Sequence, residues 1–180
     1  MSEQTKHQIV ALLPRLRRFA YALSGTRDEA DDLVQAACER ALSRLDQWQP
    51  GTRLDSWMFR IIQTTWIDRT RATRVRGYPY DPDDLVHLPG EDGRRVTEAS
   101  LTLDAVRRRI AELPEEQRIV LALVTVDGMS YQQAADVLGV PIGTVTSRLS
   151  RARKRLADDL SDEFHDDRGN GTGRVGEIVS

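Results

Sequence analysis

The chain has 180 residues, 26 Lys plus Arg against 28 Asp plus Glu, 39% hydrophobic residues and one cysteine. That length allows one domain or two small ones relying on compact helical cores, the lone Cys38 excludes an internal disulfide and suits a reducing cytosol, and no apolar run approaches a membrane span. The formal net charge of -2 argues against a nucleic-acid binder only until its distribution is read: residues 141–156 carry no acid, whereas residues 158–167 carry six acids and no Lys or Arg; local charge decides, not the total.

The amino-terminal MSEQTKHQIV has no basic start followed by a long apolar run, so a cytoplasmic location is expected. Ile9, Leu12, Leu13, Leu16, Phe19, Ala20 and Leu23 mark one face of a first helix that stops near Gly25. Thr26 with Glu29 has the spacing of a capping box, and Ala30, Leu33, Val34, Ala37, Ala41 and Leu45 carry a second helix toward Trp48. Cys38 falls on its inward side, as a buried thiol. The stretch Gln49, Pro50, Gly51, Thr52 breaks that helix, after which Leu54, Trp57, Met58, Ile61, Ile62 and Thr65 form the apolar stripe of a third. These three helices make a first unit over residues 1–76.

The opposite side of the third helix presents Arg60, Gln63, Thr64, Ile67, Arg71 and Arg74, with Arg69 and Arg76 adding charge at its end. Such a face attracts a nucleic-acid backbone. Gln63 and Thr64 have the donors and acceptors to meet unstacked bases. Trp66 has two readings, a stacking platform for a base or a half-buried packing residue. From residue 77 to residue 100, in YPYDPDDLVHLPGEDG and its flanks, no period is sustained, and a flexible linker is expected.

Helices resume near Thr102, with Leu103, Val106 and Ile110 at helical spacing, and restart after Leu113 with Pro114 in a first turn. The apolar run RIVLALVTV, residues 118–126, suits the central helix of a second small domain over residues 101–160, bounded by Asp127 and Gly128. Ser130 and Gln133 then form a capping box that opens a short helix at Tyr131; Ala135 is small where two helices approach, Gly139 supplies a positive φ, and Pro141 suits the first turn of the next helix. Ile142, Val145, Leu149, Ala152 and Leu156 form a buried stripe, leaving Thr144, Ser147, Arg151 and Lys154 outward. This is a helix-turn-helix whose second helix carries five positive charges and no acid. Hydroxyls and an arginine on a helix in the major groove meet base edges, while Arg148, Arg153 and Arg155 hold phosphates.

Beyond Leu160 acids combine with glycine, and residues 161–180 are expected to be a disordered tail, either a solubilising one or a weak brake folded back on the basic helix. GTGRVG at residues 171–176 matches a dinucleotide fingerprint, but no strand precedes it. His7, His87 and His165 lie in separate segments, so no metal and no cofactor are expected, and no carboxylate has a partner that tunes it for catalysis. The chain is not expected to be an enzyme.

DEADDLVQAACERAL at 28–42, SWMFRIIQTTWIDRTR at 56–71, LPEEQRIVLAL at 113–123 and the helix-turn-helix together resemble the extracytoplasmic-function (ECF, group IV) sigma factors of the bacterial sigma-70 family. The resemblance implies an all-α fold of two small helical domains. The first is region 2, which grips the β′ clamp helices of core RNA polymerase and opens the minus-10 element; the second is region 4, which reads the minus-35 element and touches the β flap. It places core binding on Asp28, Asp31, Asp32, Gln35 and Glu39; minus-10 contacts on Arg60, Gln63, Thr64, Trp66, Arg69, Arg71 and Arg74; and minus-35 contacts on Thr144, Ser147, Arg148, Arg151, Lys154 and Arg155. Thr64 stands where the family often has a base-capturing asparagine, and Thr146 where it often has a basic residue. The passage QWQPGTRLDSW is similar to the alphaproteobacterial general-stress subgroup, controlled by an anti-sigma factor and a phosphorylated sigma mimic. The resemblance to the wider family already implies an anti-sigma partner, and the free chain is expected to be a monomer. A stand-alone helix-turn-helix regulator would share only the carboxy-terminal half, and a module that titrates an anti-sigma factor would not need both sets of arginines.

Overall fold

The computed structural model describes residues 3–75 and 98–169, and every regular element among them is helical. The first three helices are α1 (Glu3–Ser24), α2 (Arg27–Ser43) and α3 (Leu54–Val75). Ile9, Leu16, Phe19, Ala20 and Leu23 of α1 pack with Ala30, Leu33, Val34, Ala37 and Ala41 of α2, the faces expected from their spacing. At the start of α2 the Thr26 hydroxyl accepts the Glu29 amide at 3.3 Å. The second helix is shorter than expected: Arg44 closes it, and Leu45–Gln47 tighten into a 3-10 turn ahead of Trp48. Cys38 is half-buried, and the burial it has pushes its thiol pKa up.

Helix α3 departs from a one-faced amphipathic pattern. Met58, Ile61, Ile62 and Thr65 are buried as expected, whereas Trp57 is only half-buried and Phe59 and Trp66 are buried instead. Phe59 meets Phe19 edge to face, ring centroids 5.1 Å apart. A second buried stripe therefore runs through Phe59, Ile62 and Trp66, because α3 is packed on two sides.

The second unit supplies the other side. It comprises α4 (Glu98–Ala111), which starts four residues ahead of the expected Thr102; α5 (Glu115–Leu121), preceded by Pro114; α6 (Tyr131–Leu138); and α7 (Ile142–Gly169). Between α5 and α6 the chain widens into a π turn over Ala122–Val126, with the Asp127 amide bonded to the Ala122 carbonyl and Gly128 at φ 74°. Ile119, Val120, Leu123, Val137, Val145, Leu149 and Ala152 are buried in one apolar cluster that continues into α1, α2 and α3. The two units thus share a continuous core, while residues 76–97, the greater part of the expected linker, lie outside the described residues.

The tail expectation is corrected in part. Residues 161–169 are not disordered but extend α7 to Gly169. No glycine or proline stands between Gly143 and Gly169 to stop the helix, and Arg155 lies 3.8 Å from Asp159 one turn on. Because these residues continue the same helix, they cannot fold back on the basic stretch before them. Residues 170–180, including all of GTGRVG, lie outside the described residues.

Candidate nucleic-acid interface

The helix-turn-helix is built by local chemistry. Ser130 and Gln133 close a full capping box: the Ser130 hydroxyl accepts the Gln133 amide at 3.2 Å, and the Ser130 amide donates to Gln133 Oε1 at 2.9 Å. Gly139 ends α6 at φ 65°, in the left-handed region. Pro141 sits one position before α7, not in its first turn, and its carbonyl accepts the Thr144 amide. Val145, Leu149 and Ala152 are fully buried and Leu156 is half-buried, so the register of α7 is as expected. Ile142 is the exception at 48% exposed, since the helix begins there and its first side chain overhangs the packed faces.

That register leaves Arg151, Arg153, Lys154 and Arg155 exposed and Thr144 and Ser147 half-buried. The Ser147 hydroxyl donates to the Thr144 carbonyl at 3.0 Å and Thr146 to the Ile142 carbonyl at 3.0 Å; each oxygen keeps acceptor capacity for an external donor. Arg148 behaves differently. Its Nη2 reaches Glu116 Oε2 at 2.7 Å with the side chain only 22% exposed, which ties α7 to α5. With no acid in its first turn, α7 also presents a helix amino terminus favourable to phosphate.

On α3 the candidates split between free and engaged groups. Thr64 is exposed and Gln63 half-buried, and the Thr64 hydroxyl is shared between the carbonyls of Arg60 and Ile61, both at 3.0 Å. Arg71 is exposed. Arg69 donates to the Asp32 carbonyl at 3.0 Å, joining α3 to α2. The other three face the second unit. Arg60 donates from Nε to the Val137 carbonyl at 2.9 Å and from Nη2 to the Asp136 carbonyl at 2.6 Å. Arg74 pairs with Glu115 at 2.9 Å. Trp66 is 6% exposed beneath the Arg118 guanidinium, 5.4 Å from its ring centroid. It walls a groove of about 350 Å³ between the units, together with Arg69, Arg74, Glu115 and Arg118.

The acidic side of α2 is exposed, as its spacing requires: Asp28, Asp31, Asp32, Gln35 and Glu39 all point away from the core. Asp31 pairs with Arg17 at 3.0 Å and Gln35 donates to Glu39 at 3.1 Å, so the patch is organised but solvated.

Sequence reasoning missed the charged residues that join the units. Arg15 holds Asp127 through two hydrogen bonds and also reaches Asp55 at 3.4 Å; the Asp127 bond, above all, raises the Arg15 pKa. Arg118 is buried and donates to the Leu23 carbonyl at 3.0 Å, to the Leu113 carbonyl and to that of Ala111. A basic residue at the head of an apolar run was the available signal for Arg118; nothing local marks Arg15 or Asp127.

Comparison with known proteins agrees with this architecture. Residues 103–156 match the family described as Sigma-70, region 4, and residues 9–63 match the Sigma2 domain of PhyR. The chain is 36% identical over 157 residues to the ECF RNA polymerase sigma factor EcfG of Rhodopseudomonas palustris, covering 87% of this chain and 85% of that one. The chain belongs to the ECF sigma factors of the sigma-70 family. It is also 36% identical over 143 residues to the sigma factor SigM of Mycobacterium tuberculosis, covering 79% of this chain and 70% of the relative. Among solved structures, the sigma factor RpoE of Bartonella quintana, in complex with the anti-sigma factor NepR, is similar with a TM-score of 0.66 and 32% identity, over 89% of this chain and 98% of that one. The stand-alone helix-turn-helix reading, which accounts only for the carboxy-terminal half, gives way to this two-unit family. Among the described residues no cluster of His, Cys, Asp or Glu has metal-binding geometry, and no helix is long and apolar enough to cross a membrane.

Proposed function

We propose that this chain is an RNA polymerase sigma factor that binds core enzyme in the cytoplasm and directs promoter-specific initiation. The observation that carries the reading is three charged surfaces on one short chain: the exposed acidic side of α2, the basic side of α3 and the exposed basic side of α7. A protein that docks on another protein while holding DNA at two places needs all three. In this reading Asp28, Asp31, Asp32, Gln35 and Glu39 contact the β′ clamp helices. Arg60, Gln63, Thr64, Trp66, Arg69, Arg71 and Arg74 engage the opened minus-10 strand. Thr144, Ser147, Arg148, Arg151, Lys154 and Arg155 engage minus-35, and the second unit touches the β flap.

The test is transcription by purified chain and sigma-free core polymerase on a library of upstream DNA. Defined starts sharing two spaced elements support the reading. No initiation, combined with tight binding of duplex DNA by the chain alone, returns it to a helix-turn-helix regulator. A further reading, a decoy that titrates an anti-sigma factor, draws on the match of residues 9–63 to the Sigma2 domain of PhyR. That reading predicts anti-sigma binding without initiation. The likeness to RpoE in complex with NepR supports a place in the general-stress subgroup and an anti-sigma partner of the NepR kind.

A further inference from the structure

Apart from the groove beside Trp66, the seam between the units holds a second cavity, of about 340 Å³. Its floor is apolar and buried, made by Leu23 of α1, Ala111 of α4, Leu121 at the end of α5 and Ala122 in the π turn that follows. The space comes from small side chains. Ala22, Ala111 and Ala122 line it from three elements, and larger residues there would close it to the density of an ordinary core. The π turn shapes the outer wall: the Thr125 hydroxyl donates back to the Leu121 carbonyl at 2.6 Å, and Val126 stands 42% exposed on the rim. Such turns interrupt helices most often at functional sites.

The rim carries charge of one sign. Arg18 of α1 and Arg107 of α4 are both exposed and both line the cavity, and no aspartate or glutamate lines it. Arg18 makes no hydrogen bond or ion pair among the described residues. Arg118, also in the lining, is buried and turns its guanidinium to the carbonyls of Leu23, Ala111 and Leu113, so it closes the wall. An apolar floor beneath exposed cations suits a ligand with an apolar body and an anionic head. A nucleotide or other polyanion has no apolar body for the floor, and a neutral hydrocarbon makes no use of the arginines. The volume lies near the lower end of the roughly 300–1,000 Å³ usual for small-molecule sites, which admits one short chain or ring and not a two-chain lipid.

We infer that this cavity binds a small amphipathic monocarboxylate, its apolar body on Leu23, Leu121 and Ala122 and its carboxylate at Arg18 and Arg107. With α1 on one side and α4 and α5 on the other, the ligand bridges the two units and stabilises the folded chain by mass action. The inference stands on the cavity and its charge, and does not require the sigma-factor reading.

The test uses the full chain with decanoate as the probe. Equilibrium dialysis should show a single saturable site, and decanoate should raise the Tm. Decanol, which lacks the charge, and butyrate, which lacks the length, should each bind at least about tenfold more weakly. Ala22→Leu adds bulk to the cavity from a half-buried position and should abolish saturation. Arg18→Gln, at an exposed position, should weaken decanoate about three- to tenfold and leave decanol unchanged. Circular dichroism checks that helix content is kept; should Ala22→Leu not fold, Arg18→Gln and the decanol comparison decide. Uptake that never saturates, saturation that survives in folded Ala22→Leu, or decanol binding as tightly as decanoate would overturn the inference. Association with anionic phospholipid vesicles but not with free decanoate, or a dimer of the chain that Ala22→Leu abolishes, gives the cavity to another occupant and overturns it equally.

Discussion

Arg15 and Asp127 stand 112 positions apart in the chain and meet through paired hydrogen bonds, Nε to Oδ1 at 3.1 Å and Nη2 to Oδ2 at 2.7 Å. The carboxylate is almost entirely covered and the guanidinium is one-third exposed, stacked 5.4 Å from the Phe59 ring centroid. Parallel donation of this kind fixes orientation as well as distance. Asp127→Ala removes two charge-assisted bonds but leaves Arg15 its contact with Asp55, so the loss should fall near that for a hydrogen bond to a charged group, about 1.5–3 kcal/mol. Urea unfolding of the full chain checks the value, and a loss below about 0.5 kcal/mol would show the pair to be solvated in solution.

Gly139 isolates a backbone effect. A Cβ built there would meet only Arg60 Nη2, at 3.7 Å, an ordinary contact, so space is not what requires glycine. The φ of 65° is. Gly139→Ala should cost about 1–2 kcal/mol through the left-handed conformation, and Gly139→Asn less, because its short amide tolerates that region. Thermal unfolding of both variants measures the difference; equal losses would mean that contact with Arg60, not backbone strain, decides.

The basic residues of α7 should separate into classes. Arg151 is exposed on the side set by the buried Val145, Leu149 and Ala152, and Arg151→Ala should reduce discrimination among upstream sequences by about 1–3 kcal/mol. Lys154→Ala should weaken all promoters alike and lower the salt slope by about 1. Arg148 is also held by Glu116, so Arg148→Ala should cost less than about 1 kcal/mol of stability, leave promoter preference unchanged and, as a phosphate contact already shared with that acid, weaken all promoters less than Lys154→Ala. Transcription by the reconstituted holoenzyme on promoters differing upstream, at several salt concentrations, distinguishes the three.

What could be read from the sequence follows the range of the forces involved. The turn before α7 was legible because Ser130, Gln133 and Gly139 act within a few residues of themselves, and the register of α7 followed from the spacing of Val145, Leu149 and Ala152. The acidic side of α2 was legible for the same reason. The second buried stripe of α3 was not, since periodicity reports a helix's principal apolar face and is silent on a second unit packing against the other. Trp66 is buried beneath Arg118 by that contact, while Phe59 packs edge to face on Phe19 of α1. The role of Arg60 was equally hidden, because its acceptors are backbone carbonyls that carry no sequence signature. The extension of α7 was misjudged from acids and glycine, although Gly169 is the first residue after Gly143 able to break the helix.

Asp55 ties local structure to pH. Arg53 donates to both of its oxygens, at 3.1 and 2.8 Å, and that bonding is the main reason its pKa lies below the usual aspartate range; the Ser56 amide and the charges of Arg53 and Arg15 act in the same direction, and partial burial opposes them. A carboxylate held lower in the folded chain than in the unfolded one binds protons more weakly when folded. Its contribution is therefore fully present above the unfolded pKa and is lost as pH falls through the folded value. The stability of the wild-type chain should decline below about pH 4, and part of that decline should vanish in Asp55→Asn, which has no proton to take up. Equilibrium unfolding between neutral pH and the acid limb measures the slope. Parallel curves for the two proteins would mean that the Arg53 pair persists in the unfolded chain or does not form in solution.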